Sequence, residues 1–254
     1  CEEGMVPTYN GYYRDKKTPT YGGYSNCYVI DEKYTLHIPQ KENLAGVAPL
    51  LCAGITTYSP LKFAGVGKGH KVAVLGLGGL GHMAVKFAAS FGAEVTMLST
   101  SPSKEADAKK LGAHHFALST DPAQMKALKG KFDFILNTVA AVHDMNKFLD
   151  LLTLEGKMII VGIPPEDSAY NAAKLISKRR SIIGSMIGGI AETQEMLDYC
   201  AEHQIYSDIE LIGVQDINTA YERVIKSDVK YRFVIDMKTK RQVFILLVVV
   251  LDRK

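Results

Sequence analysis

Residues 71–81 place the tightest constraint on what this chain folds into. Lys71-Val-Ala-Val-Leu75 is a short, continuous apolar run that ends in Gly76-Leu77-Gly78-Gly79-Leu80-Gly81. From there apolar residues recur four apart, at Met83, Phe87 and Phe91, as they do along one face of a helix. A strand that turns through glycines directly into a helix opens a β–α unit, and the rhythm repeats. Val95–Leu98, His115–Leu118, Phe132–Leu136, Lys157–Val161 and Ser181–Ser185 read as further strands. Helical stretches separate them, among them 103–111, stopped by Gly112, and 122–128, with Pro122 near its start. Continuous apolar strands alternating with helices predict an α/β fold: a doubly wound parallel sheet covered on both faces.

The glycines carry chemistry as well as geometry. Gly76, Gly78 and Gly81 fit G-x-G-x-x-G in the strand–turn–helix setting the motif requires. The first allows the tight turn, the second lets the backbone approach a pyrophosphate, and the third lets helix and strand pack closely. Unpaired N–H groups at the helix start then face the phosphate oxygens. Residues 76–81 therefore predict a bound dinucleotide. The end of the second strand selects which one. A site for NAD places Asp or Glu there for the ribose 2′-hydroxyl. This chain has Ser99-Thr100-Ser101-Pro102-Ser103-Lys104 instead. Hydroxyls and an ammonium suit a 2′-phosphate, so NADP(H) is expected over NAD(H). Ser101 before Pro102 also fits a helix N-cap, and the two roles are compatible.

The flanks are less regular. Residues 1–40 read as β-rich, with Tyr28-Val-Ile and Tyr34-Thr-Leu-His-Ile38 as strand candidates. Residues 43–64 read as helical, broken near Pro49 and again near Pro60. After Gly189 come a helix (192–203), a strand (209–212), a helix (217–226) and a strand (231–235). These either extend the sheet or return to the N-terminal part, and the pattern does not decide.

With 254 residues, 47% apolar and 22% charged, the chain can bury a sizeable core. Its net charge is only +3, with no block of five like charges, so neither a nucleic-acid nor an anionic-membrane partner is expected. The four cysteines, at 1, 27, 52 and 200, form no C-x-x-C pair and fit reduced thiols in a cytoplasmic protein. Cys27 and Cys200 are expected in the core. Cys52, on an apolar segment, is either a small buried hydrophobe or a metal ligand. The histidines at 82, 114, 115, 143 and 203 have no metal spacing, and neither H-E-x-x-H nor G-x-S-x-G occurs. No signal peptide is visible, and the nine apolar residues Val243–Leu251 are too few for a membrane span, which needs about 20. The chain begins at Cys1 without Met, so residues are expected to be missing before it. The tail at 240–254 reads as a frameshift or read-through product or as a genuine terminal strand.

Taken in order, Pro49-Leu-Leu-Cys52-Ala-Gly-Ile-Thr56-Thr-Tyr-Ser-Pro60, Gly76–His82, Ser99–Lys104 and Tyr231-Arg-Phe-Val-Ile-Asp236 resemble the cinnamyl alcohol dehydrogenase branch of the zinc-dependent medium-chain alcohol dehydrogenases. Asn137-Thr-Val-Ala-Ala141 and Gly184–Ile190 look closest to the bacterial, NADPH-dependent, broad-specificity aldehyde reductases of that branch. The resemblance covers residues 1 to about 239. It implies a Rossmann domain at 52–189, flanked by the remnant of a GroES-like β-rich catalytic domain at 1–51 and its return segment at 190–239. It implies Cys52 as a ligand of the catalytic zinc and Cys1 as one of four cysteines on a structural zinc. It implies cofactor contacts from Thr56, Gly76, Leu77, Gly78, Gly79, Leu80, Gly81, Ser99, Thr100, Ser101, Lys104, Thr138, Gly162, Ser185, Met186 and Ile187.

The family's other catalytic zinc ligands, its proton relay and three of the structural-zinc cysteines precede the matched region. The expectation is an NADP(H)-dependent oxidoreductase of primary alcohols and aldehydes, a homodimer when complete, whose 254-residue portion binds nucleotide without turnover. The alternative is a catalytically silent NADP-binding protein. A zinc-free quinone reductase is disfavoured by Cys52.

Overall fold

In a computed structural model, the described residues are 4–23, 25 and 27–239. Cys1 and the tail 240–254 lie outside them. Two compact units divide at 37/38.

In the first unit, β1 (Tyr9–Tyr12) and β2 (Pro19–Tyr21) form an antiparallel hairpin. Its turn is held by Asp15, whose Oδ1 accepts the N–H groups of Lys17 and Thr18, both at 2.9 Å. The two strands expected at 28–30 and 34–38 do not form. Tyr28, Val29 and Ile30 are exposed and Tyr34 ends a short 3-10 turn. Apolar, β-branched residues make a strand only where a neighbouring edge accepts their ladder, and among the described residues these pair with none. Cys27 is exposed, not in the core as expected.

The second unit begins with α1 (Leu44–Val47), a 3-10 turn through Pro49, and α2 (Ala53–Phe63), which bends from it by 57°. Pro49 interrupts the helical run as expected, but Pro60 sits inside α2 without breaking it. Every residue of α2 from Ala53 to Leu61 is buried, and that packing outweighs one lost backbone bond. No single helix among the described residues is long and apolar enough to cross a membrane.

Next come β3 (Lys71–Leu75), α3 (Gly81–Ser90), β4 (Glu94–Ser99), α4 (Glu105–Lys110), β5 (His115–Leu118) and α5 (Pro122–Ala127). The series continues with β6 (Phe132–Asn137), α6 (Met145–Leu149), β7 (Leu152–Ile160), α7 (Ala173–Ile176) and β8 (Ser181–Gly184). The six strands β3–β8 form one parallel sheet in the order β5-β4-β3-β6-β7-β8. The order reverses between β3 and β6, so a crevice opens there at the carboxyl ends of the strands, where ligands bind in such folds.

The sequence explains the burial. Val72–Leu75 are all buried, as are Ile135 and Leu136 beside them, so both faces of the central strands are covered. Each fully buried Val, Leu or Ile side chain among them contributes about 1.5–3 kcal/mol. Met83 and Phe87 pack fully buried on the inner face of α3.

The last segment comprises α8 (Ile190–Glu202), β9 (Ile209–Gly213), α9 (Ile217–Ile225) and β10 (Arg232–Asp236). They do not extend the six-stranded sheet: β9 and β10 pair with each other, in parallel, as a separate two-stranded sheet. The α8 helix lies against α2, where the Tyr58 hydroxyl donates to Glu195 at 2.9 Å and the Tyr58 and Tyr199 rings meet at 5.6 Å. Cys200 is buried, as expected, and burial pushes its thiol up to about 12.

Candidate cofactor site

The glycine loop sits at the carboxyl end of β3, at the reversal point of the sheet. Gly76 takes a φ of +91°, a conformation that a side chain disfavours. A Cβ on Gly81 would stand 1.8 Å from the Gly76 carbonyl oxygen, so only glycine allows α3 to start there. Gly78 faces open space, with nothing within 4 Å of a Cβ built on it. On this open side the turn is a cradle that presents backbone rather than side chain. The N–H groups of Leu77, Gly78 and Gly79 have no protein acceptor among the described residues. They are free to receive phosphate oxygens.

Side chains hold the loop from three sides. The Thr138 hydroxyl, just past β6, lies 2.9 Å from the Leu75 carbonyl oxygen and 3.1 Å from that of Gly76 and donates to them. The Lys104 ammonium donates to the Leu77 carbonyl at 2.9 Å. His82, on the first turn of α3, lies 3.3 Å from the Gly78 carbonyl through Nδ1. Its Nε2 is 2.9 Å from the Ser207 hydroxyl. Burial first, and the cations Lys86 and Arg232 after it, push the imidazole down to about 4, so it is neutral. Its ring stacks on Tyr231 at 4.8 Å.

At the end of β4, Ser99 is buried and its Oγ accepts the Ser101 N–H at 3.2 Å. Ser101 begins the short turn as expected but makes no side-chain cap, and its hydroxyl pairs with that of Ser103 at 2.9 Å. Thr100 is exposed. Ser99, Ser101, Ser103 and Lys104 thus gather beside the glycine loop with no carboxylate among them. Gly162 packs on the Thr138–Val139 peptide, where a Cβ would stand 2.3 Å from the Val139 carbonyl oxygen. Ser185 continues from β8, its N–H donating to the Ile160 carbonyl at 3.1 Å, and Met186 and Ile187 are exposed beyond it.

Sequence reasoning missed Arg232 as a site residue. The first residue of β10, it lays its guanidinium against the loop: a Cβ on Gly79 would meet Nε at 2.5 Å and Cζ at 2.6 Å. Its Nε is buried without a partner among the described residues. The signals available were a cation heading an otherwise apolar strand, Arg232-Phe-Val-Ile235, and its place in Tyr231–Asp236, one of the segments that carry the family resemblance.

Cys52 stands apart from this architecture. It is exposed, not a buried hydrophobe, and it precedes α2 without capping it. Thr56, one turn on, is buried, and its N–H donates to the Cys52 carbonyl at 3.0 Å. Among the described residues no three of His, Cys, Asp and Glu gather closely enough to hold a metal ion. Cys52 by itself does not fit a zinc site, whereas the glycine loop and the serine-lined strand end do fit a dinucleotide phosphate.

A family model described as zinc-binding dehydrogenase matches residues 79–202. An NADP-dependent alcohol dehydrogenase C of Mycolicibacterium smegmatis is 54% identical over 238 residues, covering 94% of this chain and 68% of the relative. Aldehyde reductase YahK of Escherichia coli is 53% identical over 250 residues, covering 94% and 71%. A solved cinnamyl alcohol dehydrogenase from Sorghum bicolor superposes with a TM-score of 0.86 at 42% identity, covering 90% of this chain and 65% of that one. The chain belongs to the zinc-dependent medium-chain alcohol dehydrogenases, a family of oxidoreductases, and spans about two thirds of the length of these relatives.

Proposed function

We propose that the chain forms the NADP(H)-binding part of an enzyme that interconverts primary alcohols and aldehydes, with aldehyde reduction as its main direction. The observation that carries the cofactor half is the free N–H row at Leu77–Gly79 beside a strand end built of Ser99, Ser101 and Lys104. The N–H groups and Arg232 take the pyrophosphate, and the serine hydroxyls and Lys104 take the 2′-phosphate. Thr56, Thr100, Leu80, Thr138, Gly162, Ser185, Met186 and Ile187 border the rest of the cofactor. When bound, NADP(H) supplies or accepts a hydride. The chain's own contribution is to neutralise the phosphate charge and to fix the cofactor's orientation through rigid backbone donors. For the catalytic zinc of the family, Cys52 is the matching residue, and the described residues gather no full ligand set around an ion.

In this reading residues 52–189 are the nucleotide-binding domain, and 1–51 and 190–239 are parts of the catalytic domain. Among the described residues Cys27, Cys52 and Cys200 are free thiols, which suits a cytoplasmic protein. The β8 strand is an edge of the six-stranded sheet, with Met186 and Ile187 exposed beyond it, and an open apolar edge favours pairing with a second copy. Sedimentation at micromolar concentration tests that homodimer. Fluorescence titration with NADPH and NADH tests the cofactor assignment: NADPH is expected to bind at least about tenfold tighter, a difference near 1.4 kcal/mol. Tighter NADH binding overturns it.

A further inference from the structure

We infer that His82 is a positioning residue for cofactor binding: with Thr138 and Lys104 it fixes three successive carbonyls of the glycine loop, and through Ser207 it ties that loop to the segment leading into β9. The inference rests on the reading of residues 76–81 as the pyrophosphate site.

A peptide unit is planar, and its C=O and N–H point in opposite directions. Holding the carbonyls of Gly76, Leu77 and Gly78 therefore aims the N–H groups of Leu77, Gly78 and Gly79. A glycine-rich loop left alone samples many conformations and loses entropy when it orders around a phosphate. Here each carbonyl has its own side chain, from three different elements: Thr138 after β6, Lys104 before α4 and His82 in α3. The three N–H groups are left without a protein acceptor among the described residues, and nothing stands within 4 Å of a Cβ built on Gly78.

The chemistry of His82 decides its protonation. A carbonyl oxygen only accepts, so the proton sits on Nδ1 and is donated to Gly78. Nε2 is then an acceptor, and the Ser207 hydroxyl donates to it. The Gly78 carbonyl therefore fixes the tautomer, Ser207 holds the ring plane, and Tyr231 stacks on the ring. Gly78 also accepts the backbone N–H of His82 at 3.1 Å, so side chain and helix start grip the same oxygen.

The test measures two ligands on four proteins. NADPH spans the whole site, whereas adenosine 2′-monophosphate reaches only the Ser99–Lys104 end. His82→Phe keeps the ring but loses both hydrogen bonds. His82→Asn keeps a donor where Nδ1–H stood. Ser207→Ala removes the hydroxyl that orients the ring. Relative to the unaltered chain, His82→Phe is expected to weaken NADPH about tenfold, the scale of one buried hydrogen bond broken. Adenosine 2′-monophosphate should stay within about twofold, His82→Asn should recover most of the loss, and Ser207→Ala should cost about threefold.

Unchanged NADPH affinity in His82→Phe overturns the inference. So does an equal loss of both ligands, which marks a merely structural role, or a His82→Asn protein no better than His82→Phe. Should His82→Phe not fold, His82→Asn and Ser207→Ala decide: the inference falls if Ser207→Ala binds NADPH as the unaltered chain does. An unaltered chain that binds adenosine 2′-monophosphate but not NADPH overturns the pyrophosphate reading itself, and this inference with it.

Discussion

The glycine loop and Cys52 occupy the same compact unit, and they are built in opposite ways. The loop is held by Thr138, Lys104 and His82 and lies under Arg232, so its donors are fixed. Cys52 is exposed at a helix start and belongs to no group of three metal-ligating side chains among the described residues. The difference lies in where each kind of site comes from. A pyrophosphate is bound by N–H groups on consecutive residues, so one β–α unit carries the site in its own backbone. A metal is bound by side chains that converge from separate parts of a chain, and one thiolate fixes neither coordination number nor geometry.

Two glycines of one loop break this comparison most directly, because they are glycines for different reasons. Gly81→Ala places a methyl group 1.8 Å from the Gly76 carbonyl oxygen, so backbone must move. The expected cost is about 4 kcal/mol or more of stability, read as a fall in urea midpoint, with NADPH binding lost alongside. Gly78→Ala places a methyl group in open space. Its stability should stay within about 0.5 kcal/mol, while NADPH binding falls at least about tenfold because the methyl group occupies the phosphate's approach. Equal stability losses in the two variants contradict the cradle.

The same loop carries a pH dependence. His82 titrates near 4 in the folded chain against an ordinary value of 6.5, because burial opposes its charge. Between those values the unfolded chain holds a proton that the native chain does not, so stability rises with pH across that window. The contribution is complete above pH 6.5 and is lost as pH falls toward 4, and it amounts to roughly 2–3 kcal/mol. Carboxylates such as Glu195 and Asp121, held low by their hydrogen bonds, add a slope of the same sign. Comparing denaturation at pH 4.5 and 7 isolates the histidine: His82→Phe should show a smaller difference than the unaltered chain, and an identical difference contradicts the assignment.

At the far end of the cradle the expected effect is selective. Ser99→Asp puts a carboxylate where the 2′-phosphate is proposed to lie. NADPH binding should weaken about tenfold, with NADH within about threefold of its starting affinity, since each 1.4 kcal/mol of repulsion is a factor of ten. A parallel loss of both cofactors moves the 2′-phosphate elsewhere.

What was legible in the sequence follows from the same contrast. The six strands β3–β8 and the loop were readable because apolar runs, glycines and helix periods are local signals. Strands at 28–30 and 34–38 were misread because pairing is not local, and Pro60 because burial of α2 overrides a propensity. Cys27 was misplaced for a similar reason: it was read as part of a strand pattern, and the fold leaves it exposed. The hold of Ser207 on His82 spans 125 positions, and Arg232 reaches Gly79 across a still longer stretch of chain. Neither has a sequence pattern of its own.

The smallest effect expected is at Cys52, and it is the sharpest test of the other half of the comparison. The thiol is exposed, caps no helix and belongs to no group of three metal-ligating side chains among the described residues. Cys52→Ser replaces sulfur by oxygen at a position that neither packs in the core nor holds the loop. Stability should therefore stay within about 0.5 kcal/mol, and NADPH affinity should be unchanged. Metal analysis of the unaltered chain should find no stoichiometric zinc released by this substitution, because a catalytic zinc takes about three protein ligands and an open position. Zinc bound at one equivalent and lost in Cys52→Ser would mean that residues outside 4–239, or a second copy of the chain, complete the site. The metal centre would then be assembled from distant parts while the cofactor cradle remains local.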